Sequence, residues 1–299
     1  PIQGSAADLI KIAMVRVDRA IKAANLRTKM VLHMGDLIQG DCGDPEVHKR
    51  MLSDAIDWLG GAFPGLPLVT VAGNHDIRGT EAAKAYDEYM FPQMSRQLGK
   101  TIGKTTFAFG IGDDAYITAD FQRPDDAEME KLLDDTKGAR HTFIVSHGPI
   151  IPCDTGNTRW CFHGRDDEVR RHFRRLFAER EAICLCGHVH KTEFTDWYGD
   201  GGRITQITMS SVWAKDRDGV LDIATQDPAE YGEFRRKSKS GEAGYVDETA
   251  FFNEYKTGLK KYVRCLGAGS YRLNVSPGHV YVDYYPGDSV APGFRFKMR

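Results

Sequence analysis

Residues 68–76 have the sequence LVTVAGNHD, in which an apolar run stops at a turn of Gly, Asn, His and Asp. The run 68–72 predicts a short buried strand, and Gly73 allows a sharp backbone turn at its end. Three other apolar runs stop in the same way, at glycines beside Asp or His. They stop at Gly35-Asp36, at His147-Gly148 and at Gly187-His188-Val189-His190. Because ligand-binding side chains of layered α/β proteins gather at strand ends, we expect these four loops to converge.

Helix-forming segments alternate with these strands. Asp44-Pro45 has the residue types favoured at the N-cap and at the first helical position, so a helix is predicted over 44–59. We further predict helices over 6–24, 80–90, 125–135 and 165–180, strands over 29–34, 142–146 and 182–186, and hairpins over 105–120 and 191–213. This alternation predicts an α/β sandwich.

The C-terminal third departs from this pattern. Residues 214–245 are polar, charged and rich in glycine, which predicts an exposed excursion or lid. A short helix is predicted over 247–260. A hairpin is predicted at 270–285, because apolar and polar residues alternate on both of its arms. We expect this hairpin to pack on an edge of the main sheets.

Composition sets limits on the kind of protein this is. The chain has 299 residues, 41% of them apolar and 27% charged, with a formal net charge of −2. These values are typical of a soluble globular protein, and they predict neither a polyanionic partner nor a membrane span. No signal peptide is evident, so both a cytoplasmic and an exported location stay open. Six cysteines without a CxxC pair argue against a zinc ribbon, while a Cys153–Cys161 disulfide is one alternative.

The side chains at the four strand ends suit one kind of chemistry. Phosphate esters resist hydrolysis because their charged oxygens repel the attacking group. Two adjacent divalent metals overcome this by generating hydroxide, neutralising the oxygens and aligning the attack. Such a centre uses a bridging carboxylate, imidazoles and an amide oxygen, a mixed set that suits Fe, Zn or Mn. The sequence offers this set as Asp36, Asn74, His147, His188 and His190.

These blocks resemble the calcineurin-like metallophosphoesterase family, whose pattern is GD, GNH(D/E), a lone His and GHxH. The resemblance covers about residues 30–213 and extends toward the C-terminus. It implies a four-layer α/β/β/α sandwich of the metallo-dependent phosphatase type, with two divalent metal ions. It also implies hydrolysis of phosphate esters by metal-bound hydroxide, with phosphomonoesters favoured over phosphodiesters. The partner would be a small phosphorylated substrate or a phosphoprotein, with no membrane and no nucleic acid.

The resemblance also implies a role for each residue. Asp36 would bridge the two metals, Asn74, His147 and His188 would complete the shell of one metal, and His190 would bind the other. His75 would protonate the leaving group, a general-acid role, or hold the phosphate in place. In the loop after His147, Asn157 and Arg159 are candidate contacts to the substrate phosphate, although a purely structural role is the alternative. The remaining histidines are expected to be structural: His33, His48, His141, His163, His172 and His279.

One family block is absent. The family begins with Asp-x-His on its first strand, and none of the ten histidines here has Asp two positions before it. The second metal would then keep only Asp36 and His190, so an alternative reading is an impaired domain that retains one metal. Gln39 also stands where the protein-phosphatase branch has an Asp that orients the histidine equivalent to His75.

The first residues show a second resemblance. PIQGSAADLIKIAM at 1–14, continuing to KMVL at 29–32, is similar to the palm region of family A DNA polymerases. There the strand leads into a catalytic His-Asp-Glu, whereas this chain continues with His33-Met34-Gly35-Asp36. We therefore interpret 1–32 as a polymerase-like helix and strand that replace the usual first strand, and 33–299 as the metallophosphoesterase domain. A nucleic-acid enzyme fragment is the second functional alternative, and the near-neutral charge argues against it.

Overall fold

The structure is a computed structural model, and it describes residues 29–154, 159–210, 222–239, 241, 246–266, 268–287 and 289–299. The predicted helix 6–24 lies outside these residues. The helices are α1 (Pro45–Ala62), α2 (Ala82–Leu98), α3 (Asp126–Asp135), α4 (Asp167–Glu179), α5 (Glu233–Lys239) and α6 (Thr249–Lys256). The first strands are β1 (Val31–His33), β2 (Leu68–Thr70), β3 (Ala108–Ile111), β4 (Asp114–Ala119), β5 (Thr142–Ser146), β6 (Ile183–Cys186) and β7 (Thr192–Gly199). They are followed by β8 (Gly202–Thr208), β9 (Asp222–Thr225), β10 (Leu259–Leu266), β11 (Gly269–Ser276), β12 (His279–Pro286) and β13 (Phe294–Lys297).

The strands form three sheets. The largest has the order β3-β4-β5-β6-β8-β7-β10-β9, and its central strands β4, β5, β6 and β8 run parallel. Strands β1 and β2 form a parallel pair, and β11, β12 and β13 form an antiparallel sheet. The parallel strands in the largest sheet are buried on both faces, as parallel sheets generally are.

Two apolar cores lie on opposite faces of the largest sheet. Side chains alternate along β5, so Phe143 and Val145 join one core and Ile144 joins the other. The first core also contains residues of β2, β12, β13, α1 and α2, and the second contains residues of α3, α4 and α6. The layers are therefore helices, small sheets, large sheet and helices. This arrangement confirms the predicted α/β/β/α sandwich.

Helix α1 shows how local sequence produced a correct prediction. Asp44 adopts an extended conformation, and its side chain accepts hydrogen bonds from the backbone N–H groups of Glu46 and Val47. Pro45 occupies the first turn, where its missing N–H has no consequence. The buried side of the helix is apolar and ends at Ala62, three residues beyond the predicted end.

The C-terminal third differs from expectation in three respects. The predicted helix 247–260 is wrong in its last part, because α6 ends at Lys256 and β10 begins at Leu259. The hairpin β11–β12 does not extend an edge of the largest sheet but pairs with β13 in a sheet of its own. Within the segment 214–245, the described residues 222–239 are not only an exposed excursion. They include β9, which pairs with β10, and the fully buried Tyr231.

The cysteines and helices add two observations. Cys153 and Cys161 are both buried free thiols, so the alternative of a disulfide between them is not realised. None of the helices in the described residues has the length and hydropathy that a bilayer crossing requires.

Candidate metal centre

Four strand-end loops bring polar side chains together at one edge of the β-layers. Asp36 follows β1, Asn74 follows β2, His147 follows β5 and His188 follows β6. Strand β1 pairs with β2 and β5 pairs with β6, in parallel in both cases. Paired parallel strands end on the same side, so the loops that follow them meet.

The side-chain atoms of these residues converge on His147. Its Nε2 lies 3.2 Å from Oδ2 of Asp36, 3.1 Å from Oδ1 of Asn74 and 3.1 Å from Nδ1 of His188. One ligand atom from each of Asp36, His147 and His188 lies within 4.8 Å of the other two. We call Asp36, Asn74, His147 and His188 the strand-end cluster.

Hydrogen bonding fixes one proton of the His147 ring. Its Nδ1 lies 2.5 Å from the backbone oxygen of Met34, which can only accept, so Nδ1–H is the donor. In the neutral ring Nε2 then presents a lone pair toward the oxygens of Asp36 and Asn74. These donor atoms repel one another unless a cation lies among them, either a second proton on the ring or a metal ion. The carboxylate, amide oxygen and imidazoles are a donor set that fits Zn, Fe or Mn.

His188 has the properties of a ligand in its neutral form. Burial, together with the nearby charge of His147, lowers the pKa of His188 to about 3. Its Nε2 is buried without a hydrogen-bond partner in the described part of the chain. The nitrogen of His188 that faces His147 is Nδ1, so Nδ1 is the atom placed to share an ion with Asp36 and His147.

Asp36 is held as a carboxylate in a strained loop. Burial raises the pKa of Asp36, but the hydrogen bond and charge of His147 and the backbone N–H of His75 outweigh it and hold the pKa at about 2. Asp36 and His188 both adopt left-handed backbone conformations, with φ of 58° and 70°. Such conformations cost non-glycine residues about 1–3 kcal/mol and concentrate at functional sites.

Asp76 joins the two loops that carry Asp36 and Asn74. Its fully buried carboxylate accepts hydrogen bonds from the backbone N–H groups of Asp36 at 2.8 Å, Gly73 at 2.9 Å and Ile38 at 3.2 Å. The backbone oxygen of Asp76 accepts a further bond from Nε2–H of the buried His48 at 2.7 Å. The sequence motif included Asp76 but gave it no role, and the structure makes it the organiser of this loop pair.

Two glycines allow the loops to approach closely. A Cβ at Gly73 would lie 2.1 Å from the backbone nitrogen of Asp36 and 2.2 Å from its Oδ1. A Cβ at Gly35, where φ is +88°, would lie 2.7 Å from Nδ1 of His147. Any larger residue at either position would therefore displace the cluster.

His75 lies beside the cluster and is oriented by backbone atoms. Its backbone N–H donates to Oδ1 of Asp36 at 2.9 Å, and its Nδ1–H donates to the backbone oxygen of Gln39 at 3.0 Å. This leaves Nε2 as the atom available to a ligand. The backbone carbonyl of Gln39 thus orients the His75 ring, a role for which the family resemblance implied an Asp side chain.

Of the remaining predicted site residues, the structure places two outside the strand-end cluster and does not describe the third. His190 is exposed and lies outside the group formed by Asp36, His147 and His188. The Arg159 guanidinium forms ion pairs with Asp167 at 2.7 Å and with Glu248 at 3.3 Å. These pairs stabilise the turn that carries Arg159. Asn157 lies outside the described residues.

Two aromatic residues that the sequence did not single out border the cluster. The Phe121 ring lies 5.6 Å from the His147 ring and 5.0 Å from the His188 ring, measured between centroids. The Trp160 ring lies 4.8 Å from the His188 ring. Trp160 belongs to the predicted loop after His147, but no periodicity indicated that its ring turns back toward the cluster.

Comparison of sequences finds similarity to DNA polymerases over part of the chain. The family model described as DNA polymerase family A matches residues 1–53. DNA polymerase I of Mycobacterium bovis is 40% identical over 74 residues, which is 24% of this chain and 8% of the polymerase. DNA polymerase I of Chloroflexus aurantiacus is 43% identical over 58 residues, which is 19% of this chain and 6% of the polymerase. The matched segment is thus a small fraction of these relatives.

The polymerase similarity extends further than the sequence analysis expected. We predicted that it ends near residue 32, whereas the family model continues to residue 53. The matched residues therefore include β1, Asp36 and the first half of α1. One short segment thus resembles polymerases in sequence while it supplies a strand and a cluster residue to this fold.

Comparison of structures covers nearly the whole chain. Purple acid phosphatase PPD1 from yellow lupin (Lupinus luteus) seeds superposes with a TM-score of 0.54 and 13% identity, covering 95% of this chain and 48% of the phosphatase. GAP50, described as the anchor in the inner membrane complex of Plasmodium, gives a TM-score of 0.53 and 14% identity, covering 96% of this chain and 83% of GAP50. The chain therefore has an α/β sandwich fold similar to that of a purple acid phosphatase, together with a polymerase-like sequence that the family model matches over residues 1–53.

Proposed function

We propose that this protein hydrolyses phosphate esters with the help of a divalent metal ion, and that phosphomonoesters are favoured over phosphodiesters. The observation that carries this proposal is the convergence of Asp36, Asn74, His147 and His188 from four strand ends. The substrate would be a small phosphorylated molecule or a phosphoprotein.

The residues of the strand-end cluster fit the metal by their chemistry. Asp36 is ionised, His188 is neutral, and Asn74 contributes an uncharged oxygen. A divalent ion held by these groups supplies positive charge to neutralise phosphoryl oxygens and to make an attacking water more acidic. Met34 and Asp76 keep the ligands in place, through the His147 ring and the Asp36 backbone respectively.

His75 is proposed as the general acid. A leaving alkoxide needs a proton, and His75 can deliver one from Nε2 while Nδ1–H stays bonded to the Gln39 carbonyl. The bond from its backbone N–H to Asp36 keeps the ring beside the metal ligands.

A second candidate function is a metal-binding domain with impaired catalysis. The absence of an Asp-x-His block and the exposed position of His190 outside the cluster favour a single well-held ion. Loss of the second ion weakens both charge neutralisation and activation of water. This candidate predicts metal binding with little turnover.

A nucleic-acid enzyme derived from the polymerase-like segment is the third candidate. Its support is the match over residues 1–53. The net charge of −2 gives no general attraction to a phosphate backbone, so we rank it last.

Metal content and turnover, measured together, test the proposal. The protein is stripped with a chelator and titrated with Mn²⁺, and bound metal and hydrolysis of 4-nitrophenyl phosphate are followed. We expect metal-dependent turnover, and a loss of metal affinity of roughly 10–100-fold or more in His188→Ala. The exposed His279→Ala is the matched control and should change neither quantity. One bound ion without turnover would support the impaired domain instead, and no bound ion would exclude both.

A further inference from the structure

Trp160 is an unusual exposed side chain. It is 47% exposed, which makes it one of a small number of large apolar residues on the described surface. Its ring nevertheless lies 4.8 Å from the ring of His188 in the strand-end cluster, at an interplanar angle of 49°. One side of the indole therefore covers a cluster residue and the rest is open to solvent.

The turn that carries Trp160 is firmly anchored on both sides. Before it, the Arg159 side chain binds Asp167 and Glu248 and stacks over the Phe251 ring at 4.1 Å. After it, Cys161 is buried and the backbone N–H of Phe162 donates to the oxygen of Pro149 at 2.8 Å. The described residues on either side of Trp160 therefore hold its backbone in place while its side chain stays exposed.

We propose that Trp160 is a substrate-binding residue that selects phosphate esters whose alcohol carries a flat aromatic ring. The inference rests on the proposed phosphoesterase function and names its substrate class. With the phosphate at the strand-end cluster, the ester's alcohol lies beside the exposed part of the indole. A planar ring stacks on an indole face more favourably than a saturated ring of similar size, because both surfaces are flat and polarisable.

Binding of two matched phosphonates tests this inference separately from turnover. The probes are 2-phenylethylphosphonate and 2-cyclohexylethylphosphonate, which differ only in whether the ring is aromatic. Affinities are measured by calorimetry with the Mn²⁺-loaded protein. We expect the phenyl compound to bind roughly tenfold more tightly, a ratio that one stacked ring can supply.

Variants at position 160 distinguish stacking of the substrate ring on the indole from simple shielding of His188 by the indole. In Trp160→Ala the phenyl-to-cyclohexyl ratio should fall close to one, and in Trp160→Phe most of it should remain. Tyr198→Ala is the control. Tyr198 is a comparably exposed aromatic residue at the C-terminal end of β7, whereas the loop with His188 precedes the N-terminal end of that strand. This substitution should leave the ratio unchanged. An equal loss of affinity for both probes in Trp160→Ala would show that the indole only covers His188, and would overturn the proposal.

Two sources of aromatic ester are distinguished by a third probe. A phosphonate analogue of adenosine 5′-phosphate that binds more tightly than the phenyl compound would indicate nucleotides, and a weaker one would indicate simple aryl alcohols. A wild-type ratio near one, or no binding of any phosphonate, would contradict the inference. Selective binding without hydrolysis of 4-nitrophenyl phosphate would support Trp160 stacking while excluding the proposed catalysis.

Discussion

At the residue scale, the site depends on a few atoms that hydrogen bonds hold in place. The His147 ring is fixed by the Met34 carbonyl, and its Nε2 meets oxygens from Asp36 and Asn74. The Asp76 carboxylate holds the backbone of Asp36 through a hydrogen bond from the Asp36 N–H. Because the donor atoms are already oriented, little reorganisation would accompany binding of a cation, and such preorganisation favours affinity.

Gly73→Ala tests whether this close packing is necessary. The added Cβ would overlap the backbone nitrogen and Oδ1 of Asp36, so the carboxylate must leave its position. We expect Mn²⁺ affinity, measured by calorimetry, to fall roughly 10–100-fold, as for changes that displace a metal ligand indirectly. Gly103→Ala is the control, because a Cβ there meets nothing within 4 Å. Equal affinities in the two variants would contradict the proposed role of Gly73.

His75→Ala tests the proposed general acid. The hydrogen bond from His75 to Asp36 comes from the backbone N–H, which the substitution keeps. Mn²⁺ affinity should therefore stay close to that of the wild type while kcat falls by roughly 10²–10⁴-fold. An unchanged kcat for an ester with a poor leaving group would show that His75 delivers no proton.

At the element scale, helices α4 and α6 are joined by one carboxylate. Glu254 of α6 binds three arginines of α4: Arg170 at 3.1 Å, Arg171 at 3.0 Å and Arg174 at 2.5 Å. No local pattern in the sequence indicates this cluster, since it depends on residues 80–84 positions apart, in two helices that meet over the largest sheet. Arg170 and Arg174 are buried, so loss of their shared partner leaves charges that water cannot solvate fully.

Glu254→Gln should destabilise the protein in a pH-dependent way. Burial raises the pKa of Glu254, but hydrogen bonds from Arg171 and Arg170 outweigh it and hold the pKa at about 2, below the ordinary value of 4.5. The ion pairs thus stabilise the fold above about pH 4.5, and this contribution is lost as the pH falls toward 2. We expect a cost of about 1–3 kcal/mol at pH 7, measured by urea unfolding, that shrinks below pH 4.5.

A matched control accompanies the Glu254 measurement. Glu230 is exposed and pairs with the exposed Lys237, so Glu230→Gln should cost less than about 0.5 kcal/mol at pH 7. If Glu254→Gln lowers the free energy of unfolding by the same amount at pH 3 and pH 7, the ion pairs are not its cause.

At the scale of the whole molecule, the β1–β2 pair and the β11–β13 sheet are two separate small sheets. No described strand joins the β1–β2 pair to the β11–β13 sheet, although both contribute to the same core. All of β1 is half-buried, unlike the fully buried β2. That the strand bearing Asp-x-His is replaced here stays a prediction from the sequence, because residues 1–28 lie outside the described residues.

Replacing residues 1–28 with a helix and strand that bear Asp-x-His tests this interpretation. If the second metal lacks only those two ligands, the graft should raise bound Mn²⁺ from one to two ions per chain and increase kcat with 4-nitrophenyl phosphate. The control is the same graft with Ala-x-Ala. An account based on a missing half-site is wrong if the Asp-x-His graft changes neither metal content nor rate.

Much of this organisation was accessible from the sequence, and the exceptions have physical causes. The strand ends at Asp36, Asn74, His147 and His188 were predictable, because apolar runs broken by glycine are local signals. Strand β10 was missed, since Leu259–Leu266 follows a helix and becomes a strand through pairing with β7. The position of Trp160 beside His188 and the exposed position of His190 depend on how their loops pack against the rest of the fold. None of these is encoded in a local pattern.

Crystals grown with Mn²⁺ and measured near the manganese absorption edge test the central claim most directly. We predict a strong anomalous peak enclosed by Asp36, Asn74, His147 and His188, within coordination distance of their ligand atoms. A second peak of equal height is not expected in this chain, because Asp36 and His190 alone would hold that ion. An anomalous map with no peak among these four side chains, while the protein is saturated with Mn²⁺, would contradict the account.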